Sequence, residues 1–152
     1  MSANAKDWIM LAARFFMGGM FIITGYRKWL GIAGAGGFAG SSKFVAGTMG
    51  VSMDVAQVLL ACACAVEIIG GIMLIVGFRT RLAAIALILF VAILTPFFHG
   101  PWNFPMPRAM NEFDQALKNF NLICGMLLII AFGAGRFSLD ARAGRAPRFA
   151  SA

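Results

Sequence analysis

Residues 55–98 read VAQVLLACACAVEIIGGIMLIVGF, then RTR, then LAAIALILFVAILTPFF. Two long apolar runs are separated by three residues, two of them arginine, and the only acidic residue in the stretch is Glu67. At about 1.5 Å of rise per residue, each run is long enough for a helix to cross a hydrocarbon core of about 30 Å. Their Leu, Ile, Ala, Met and Phe content suits helices, and the alternating segments of a membrane β-barrel are absent. The reading is of two antiparallel membrane helices joined by a tight, basic turn at Arg79 and Arg81.

Two further runs flank this hairpin. The expected fold is an all-α integral membrane four-helix bundle, with helices over about 8–25, 55–78, 82–98 and 120–137. Residues 1–140 form one domain, and 141–152 form a basic, mobile C-terminal tail. The connection Trp29 to Asp54 is rich in Gly, Ala and Ser but carries Phe38, Phe44, Val45, Met49 and Val51, which places part of it at the membrane interface. Pro101, Pro105 and Pro107 stop the third helix near His99. Glu112, Asp114, Lys118 and Asn119 recur at helical steps and extend the fourth helix outward as a solvated turn.

The composition agrees. Of 152 residues 61% are apolar and only 12% charged, with 18 glycines besides. A soluble monomer of this size has too few polar residues to cover that surface. The net charge of +7 does not imply nucleic acid, because Lys and Arg flank apolar runs rather than clustering with aromatics. Lys6, Arg79, Arg81, Arg136, Arg142, Arg145 and Arg148 fall on one side, and Arg27, Lys28, Lys43, Arg108 and Lys118 on the other. That bias predicts cytoplasmic N and C termini. A cleaved signal peptide is not expected, since Arg14 interrupts the first apolar run. Cys62, Cys64 and Cys124 lie within apolar runs and form no C-x-x-C, so they read as small buried hydrophobes.

Two charges stand inside the runs, Arg14 and Glu67. On insertion scales each costs roughly 2.5–3.5 kcal/mol at the membrane centre. Their depths, about 9 and 16 Å from one membrane face, let a long arginine span the difference. An intramembrane Arg14–Glu67 pair is expected, serving either helix docking or a site for a proton-coupled or quinone-like ligand. The other role open to Arg14 is snorkelling to the headgroups. His99, the only histidine, caps the last carbonyls of its helix or makes a proton or ligand contact with Glu112 or Asp114. Asn119 sits where it can dock helices by hydrogen bonding, or join His99 and Glu112 in a ligand or proton contact. Gly18 with Gly25, and Gly70 with Gly77, are seven apart and read as close-packing faces. The two sets also echo each other at an offset of 52. No metal site, haem ligand pair, P-loop or nucleophile elbow occurs.

Several of these pieces together resemble the DoxX family of small four-helix bacterial membrane proteins. They are Arg14 with Gly18, Gly25-Tyr26-Arg27-Lys28, Glu67 with Gly70-Gly71, Leu74 and Gly77, then Arg79-Thr80-Arg81-Leu82-Ala83-Ala84, His99, and Gly135-Arg136-Phe137-Ser138-Leu139-Asp140. The resemblance implies an inner-membrane accessory protein tied to quinol oxidases, thiosulfate:quinone oxidoreductase and oxidative-stress complexes. Its partners would be the lipid bilayer, subunits of a membrane redox complex, and further copies of itself. Related membrane redox proteins use paired cysteines, which this chain lacks. The stretch Gly31 to Gly50 also lacks the proline expected in this loop. A quinone held in the bundle is the leading expectation. The rivals are a non-catalytic scaffold that docks partners on its glycine faces and, below that, a small-molecule transporter.

Overall fold

Ser52 and Gly77 bracket the most continuous apolar run. Ser52 is extended and its Oγ accepts from the Val55 N–H at 3.4 Å, while Gly77 adopts the left-handed conformation (φ 69°) and its N–H donates to Leu74 O. These are ordinary helix start and stop devices. Between them runs Met53–Val76. In a computed structural model, which describes residues 5–30 and 37–144, it is the third of six α-helices. The others are α1 (Ala5–Leu30), α2 (Gly37–Met49), α4 (Thr80–His99), α5 (Arg108–Phe132) and the single turn α6 (Leu139–Arg142), with a 3₁₀ turn at Pro101–Asn103 before α5. Helices α1, α3, α4 and α5 are each long and apolar enough to cross a membrane. No strand occurs among the described residues.

The four long helices alternate in direction. The start of α1, the α3–α4 turn and the end of α5 share one end of the bundle, here the terminal end. The opposite, or loop, end carries α2 and the 3₁₀ turn. Helix α1 packs chiefly on α3, α4 on α5, and α3 on α4, and the α1–α5 contact is slighter than any of these. Met10, Phe21, Leu74, Leu87, Met126 and Ile129 fill the centre.

Glycine sets the α1–α3 distance. A Cβ on Gly18 would stand 2.5 Å from Gly71 O, and one on Gly71 would stand 2.6 Å from Gly18 O. The two backbones therefore touch directly, as small residues permit in lipid. Gly25 lies against Glu67 Cβ, and Gly70 against Leu87 of α4. The 52-residue echo does not survive as a structural repeat: Gly25 is a buried mid-helix packing residue, whereas Gly77 is a helix terminus.

Several boundaries differ from expectation. Helix α1 continues five residues past Gly25 to Leu30, carrying Lys28 inside it. The expected interfacial stretch contains α2, too short at 13 residues to cross the bilayer. It forms a hairpin with α3 by seating Val45 among Ala56, Leu60 and Cys64. The last long helix spans 108–132, not 120–137. It starts early because its outer turns are amphipathic, and it ends early because Gly133 and Gly135 take positive φ. Phe137, counted in the run by hydropathy, lies beyond that break and stacks on Trp8 at 4.6 Å. The expected tail from 141 begins as ordered structure, since Leu139–Arg142 is helical and docked. Residues 145–152 lie outside the described residues.

Candidate functional site

Two polar centres lie within the apolar spans, and they are separate. Arg14 and Glu67 do not pair. Arg14 is wholly buried, and its guanidinium donates to Leu74 O (3.2 Å), Ile75 O (3.4 Å) and Phe137 O. The first two carbonyls belong to the last turn of α3; Leu74 O also accepts from the Gly77 N–H. The positive charge also meets the negative end of that helix. Asp140 is the acidic group that acts on it through space. Arg14 thus closes the α3 terminus, and its Nε has no hydrogen-bond partner among the described residues.

Asp140 closes the next helix. Its Oδ1 accepts from the Arg79 N–H, and its Oδ2 from the Thr80 N–H and Thr80 Oγ, all at 2.8 Å. Helix α4 has no side-chain cap of its own, and Arg79 there is left-handed (φ 43°). A carboxylate supplied from sixty residues downstream fills that role. The Asp140 N–H donates back to Gly77 O, and the Arg136 N–H donates to Asp7 Oδ1. The segment 133–142 therefore straps α1, the α3–α4 turn and α5 together. Among the described residues Arg81 makes no ion pair, and the role of this turn rests on Asp140 rather than on its basic side chains.

Glu67 belongs to the second centre. Lys28 of α1 reaches back along the bundle and donates to both Glu67 carboxylate oxygens at 2.8 Å, and Thr24 Oγ donates to Oε1 at 3.2 Å. Glu67 is 4% exposed, while the Lys28 side chain keeps 38%. The ammonium also stands 5.6 Å from the Phe90 ring centre of α4, within cation–π range. A carboxylate this buried persists only when paired and hydrogen-bonded. Gly25 makes room for it, because any side chain there would strike Glu67 Cβ and Ile68.

At the loop end His99 Nδ1 lies 2.8 Å from Glu112 Oε2, and Arg108 Nε donates to Glu112 Oε1 at 3.3 Å. His99 therefore joins α4 to α5 and does not cap its own helix. That task falls to Asn103, whose Nδ2 donates to Pro96 O and Phe97 O. One level deeper, Asn119 Nδ2 donates to Thr95 Oγ (2.9 Å), which donates to Val91 O. Glu112 and Asn119 thus hold α5 on α4, as expected of Asn119. Nearby, a groove of about 570 Å³ opens between α2 and the 3₁₀ turn, lined by Thr48, Phe97, Trp102 and Phe104 among others. No cluster of metal-ligating side chains occurs among the described residues.

Lys28, Thr24 and Asp140 are the functional residues that sequence reasoning missed. Lys28 looked like a topology charge at a helix end. Asp140 stood in the quoted closing motif without an assigned partner.

Four apolar helices around a buried ion pair define a small multi-pass membrane protein. A family model described as DoxX matches residues 9–100, and the chain belongs to the DoxX family. It is 26% identical over 138 residues to the Escherichia coli inner membrane protein YphA, covering 91% of this chain and 92% of that one. It is 28% identical over 135 residues to the E. coli inner membrane protein YqjF, covering 89% and 92%. A Drosophila melanogaster Surfeit locus protein 4 homolog matches at 28% over 79 residues, 49% of this chain and 29% of that protein. No solved structure matches. The protein is a multi-pass inner-membrane protein.

Proposed function

We propose that this chain is a redox-linked accessory protein that holds a quinone or a similar lipophilic ligand at Lys28, Glu67 and Thr24. The observation that carries the reading is the ion pair buried in the apolar span: Glu67 held by Lys28 and Thr24. A quinone carbonyl needs a hydrogen-bond donor, which the third N–H of the Lys28 ammonium supplies, the other two being held by Glu67. A quinol hydroxyl needs an acceptor, which the Glu67 carboxylate supplies. Phe90, beside the ammonium, offers a ring for the ligand to stack on. Electrons would pass to and from partner subunits of a membrane redox complex. The seven-to-five distribution of basic residues supports cytoplasmic termini.

The test is native mass spectrometry of the protein released from its own membranes in mild detergent. A quinone-mass ligand should accompany the wild type and Cys124→Ser, and be lost from Glu67→Gln and Lys28→Met. A bare wild-type chain, or a ligand retained by both variants, overturns the reading. The scaffold alternative loses its proposed surface. Gly18, Gly25 and Gly70 are spent on contacts within the chain, and Gly77 on the α3 terminus.

A further inference from the structure

Helix α5 carries two different exposed faces. One is apolar: Phe113, Leu117, Phe120, Leu127 and Leu128 are all exposed, as a lipid-facing surface should be. The other is polar. Asn111, Asp114, Lys118 and Asn121 follow at steps of three and four, Gln115 lies four beyond Asn111 on the same side, and every one is exposed, so they form one stripe. Among the described residues their side chains have no ion-pair or hydrogen-bond partner. Depth makes this notable. Counted from Phe132 at the terminal end, Lys118 stands about 21 Å and Asn121 about 16 Å along a helix crossing a core of about 30 Å. Polar side chains at such depth face a bundle interior or a water-filled cavity rather than lipid.

The direction of the stripe follows from the contacts of α5. Glu112 and Asn119 mark the side that meets α4. Gly125 marks the side that meets α1, because a Cβ there would strike Met17 Cε. Continuing the polar stripe by four residues from Asn121 leads to Gly125, so the stripe faces α1. On α1, Thr24 and Lys28 lie seven and eleven residues beyond Met17 and share its face. The helices run antiparallel, so the register fixed at Met17 and Gly125 sets Thr24 level with Lys118, and Lys28 level with Asp114. These two helices touch far less than α1 touches α3 or α4 touches α5.

We propose that the loop half of the α1–α5 seam is a water-filled cleft that carries water and protons from the loop side of the membrane to the Lys28–Glu67 pair. Asp114, Lys118 and Asn121 line one wall; Thr24 and Lys28 line the other. The partial exposure of Lys28, beside a Glu67 that is nearly sealed, marks where the cleft ends. The cleft makes the pair a point of exchange between the aqueous phase and the bundle interior.

Thiol accessibility tests it. Single cysteines are placed at Gln115, Lys118 and Asn121, or at Leu117, Phe120 and Leu128, after Cys62, Cys64 and Cys124 are changed to alanine. Each is exposed to a charged, membrane-impermeant methanethiosulfonate in intact cells and in inverted vesicles. The first set should react at least tenfold faster than the second, and only from the side opposite a Gly144→Cys marker. Equal rates at Lys118→Cys, Asn121→Cys and Phe120→Cys overturn the proposal. The unsubstituted protein gives a second readout. An impermeant amine-reactive ester should acylate Lys118 from the loop side, and a silent Lys118 also overturns it. Neither result depends on a co-purifying ligand, so the cleft and the quinone reading fail or stand separately.

Discussion

The guanidinium of Arg14 occupies the space that a side chain on Gly77 would need. The left-handed φ of Gly77 ends α3, and the room left by its missing Cβ admits the cation that binds the last carbonyls of α3. Alanine at 77 is therefore penalised twice, by backbone conformation and by collision with Arg14 and Ser138. Gly77→Ala should destabilise by more than about 1 kcal/mol. Thermal denaturation in detergent measures it, and an unchanged midpoint would contradict this packing.

Asp140 should behave as a helix cap despite its distance in sequence. Asp140→Ala removes a charged acceptor from two N–H groups and one hydroxyl. Hydrogen bonds to charged groups contribute about 1.5–3 kcal/mol each, so the loss should be among the largest of any single substitution here. Hydrogen exchange at Arg79 and Thr80 should rise selectively, while exchange in the middle of α4 stays slow.

Lys28 and Glu67 should be energetically coupled, and Arg14 and Glu67 should not. Lys28→Met leaves the sealed Glu67 carboxylate unpaired, at a cost of up to about 3–5 kcal/mol, whereas Glu67→Gln leaves a partly exposed lysine and costs less. The double variant should recover part of that loss. In a second cycle, Arg14→Gln and Glu67→Gln should add with no interaction beyond about 0.5 kcal/mol. Coupling in the second cycle and none in the first would reverse the assignment of partners.

Gly18 and Gly19 offer an adjacent contrast. A Cβ on Gly18 meets Gly71 O at 2.5 Å, whereas one on Gly19 meets nothing within 4 Å. Gly18→Ala should force α1 off α3 and lower the melting temperature. Gly19→Ala should be neutral or slightly stabilising, because Ala has the better helix propensity. A melting temperature lowered equally in both variants would show that this contact does not set the helix separation.

Much of the architecture was readable from the sequence because apolar run length and basic turns report directly on membrane spans. The polar turns at the start of the last helix were readable from the spacing of Glu112 and Lys118, and Arg14 and Glu67 stood out as intramembrane charges. Their partners did not. Arg14 binds backbone carbonyls, which carry no residue signature in a sequence. Lys28 sits at the flank where topology charges gather, and only the continuation of α1 to Leu30 shows that its side chain reaches back to Glu67. The end of α5 was misplaced because hydropathy counts Phe137 as membrane, while Gly133 and Gly135 turn the chain before it. The short α2 was hidden by its glycines, which lower helix propensity without forbidding a helix packed on α3.

The strap formed by residues 133–142 also bears on biogenesis. Translation delivers the α3–α4 turn into the membrane well before the ribosome reaches Phe137 and Asp140. Until then the turn keeps open N–H groups and Arg14 lacks its third carbonyl. A stretch made later completes the α3–α4 hairpin, so a chain stalled before residue 137 would carry its own mark of incompleteness for membrane proteolysis to recognise.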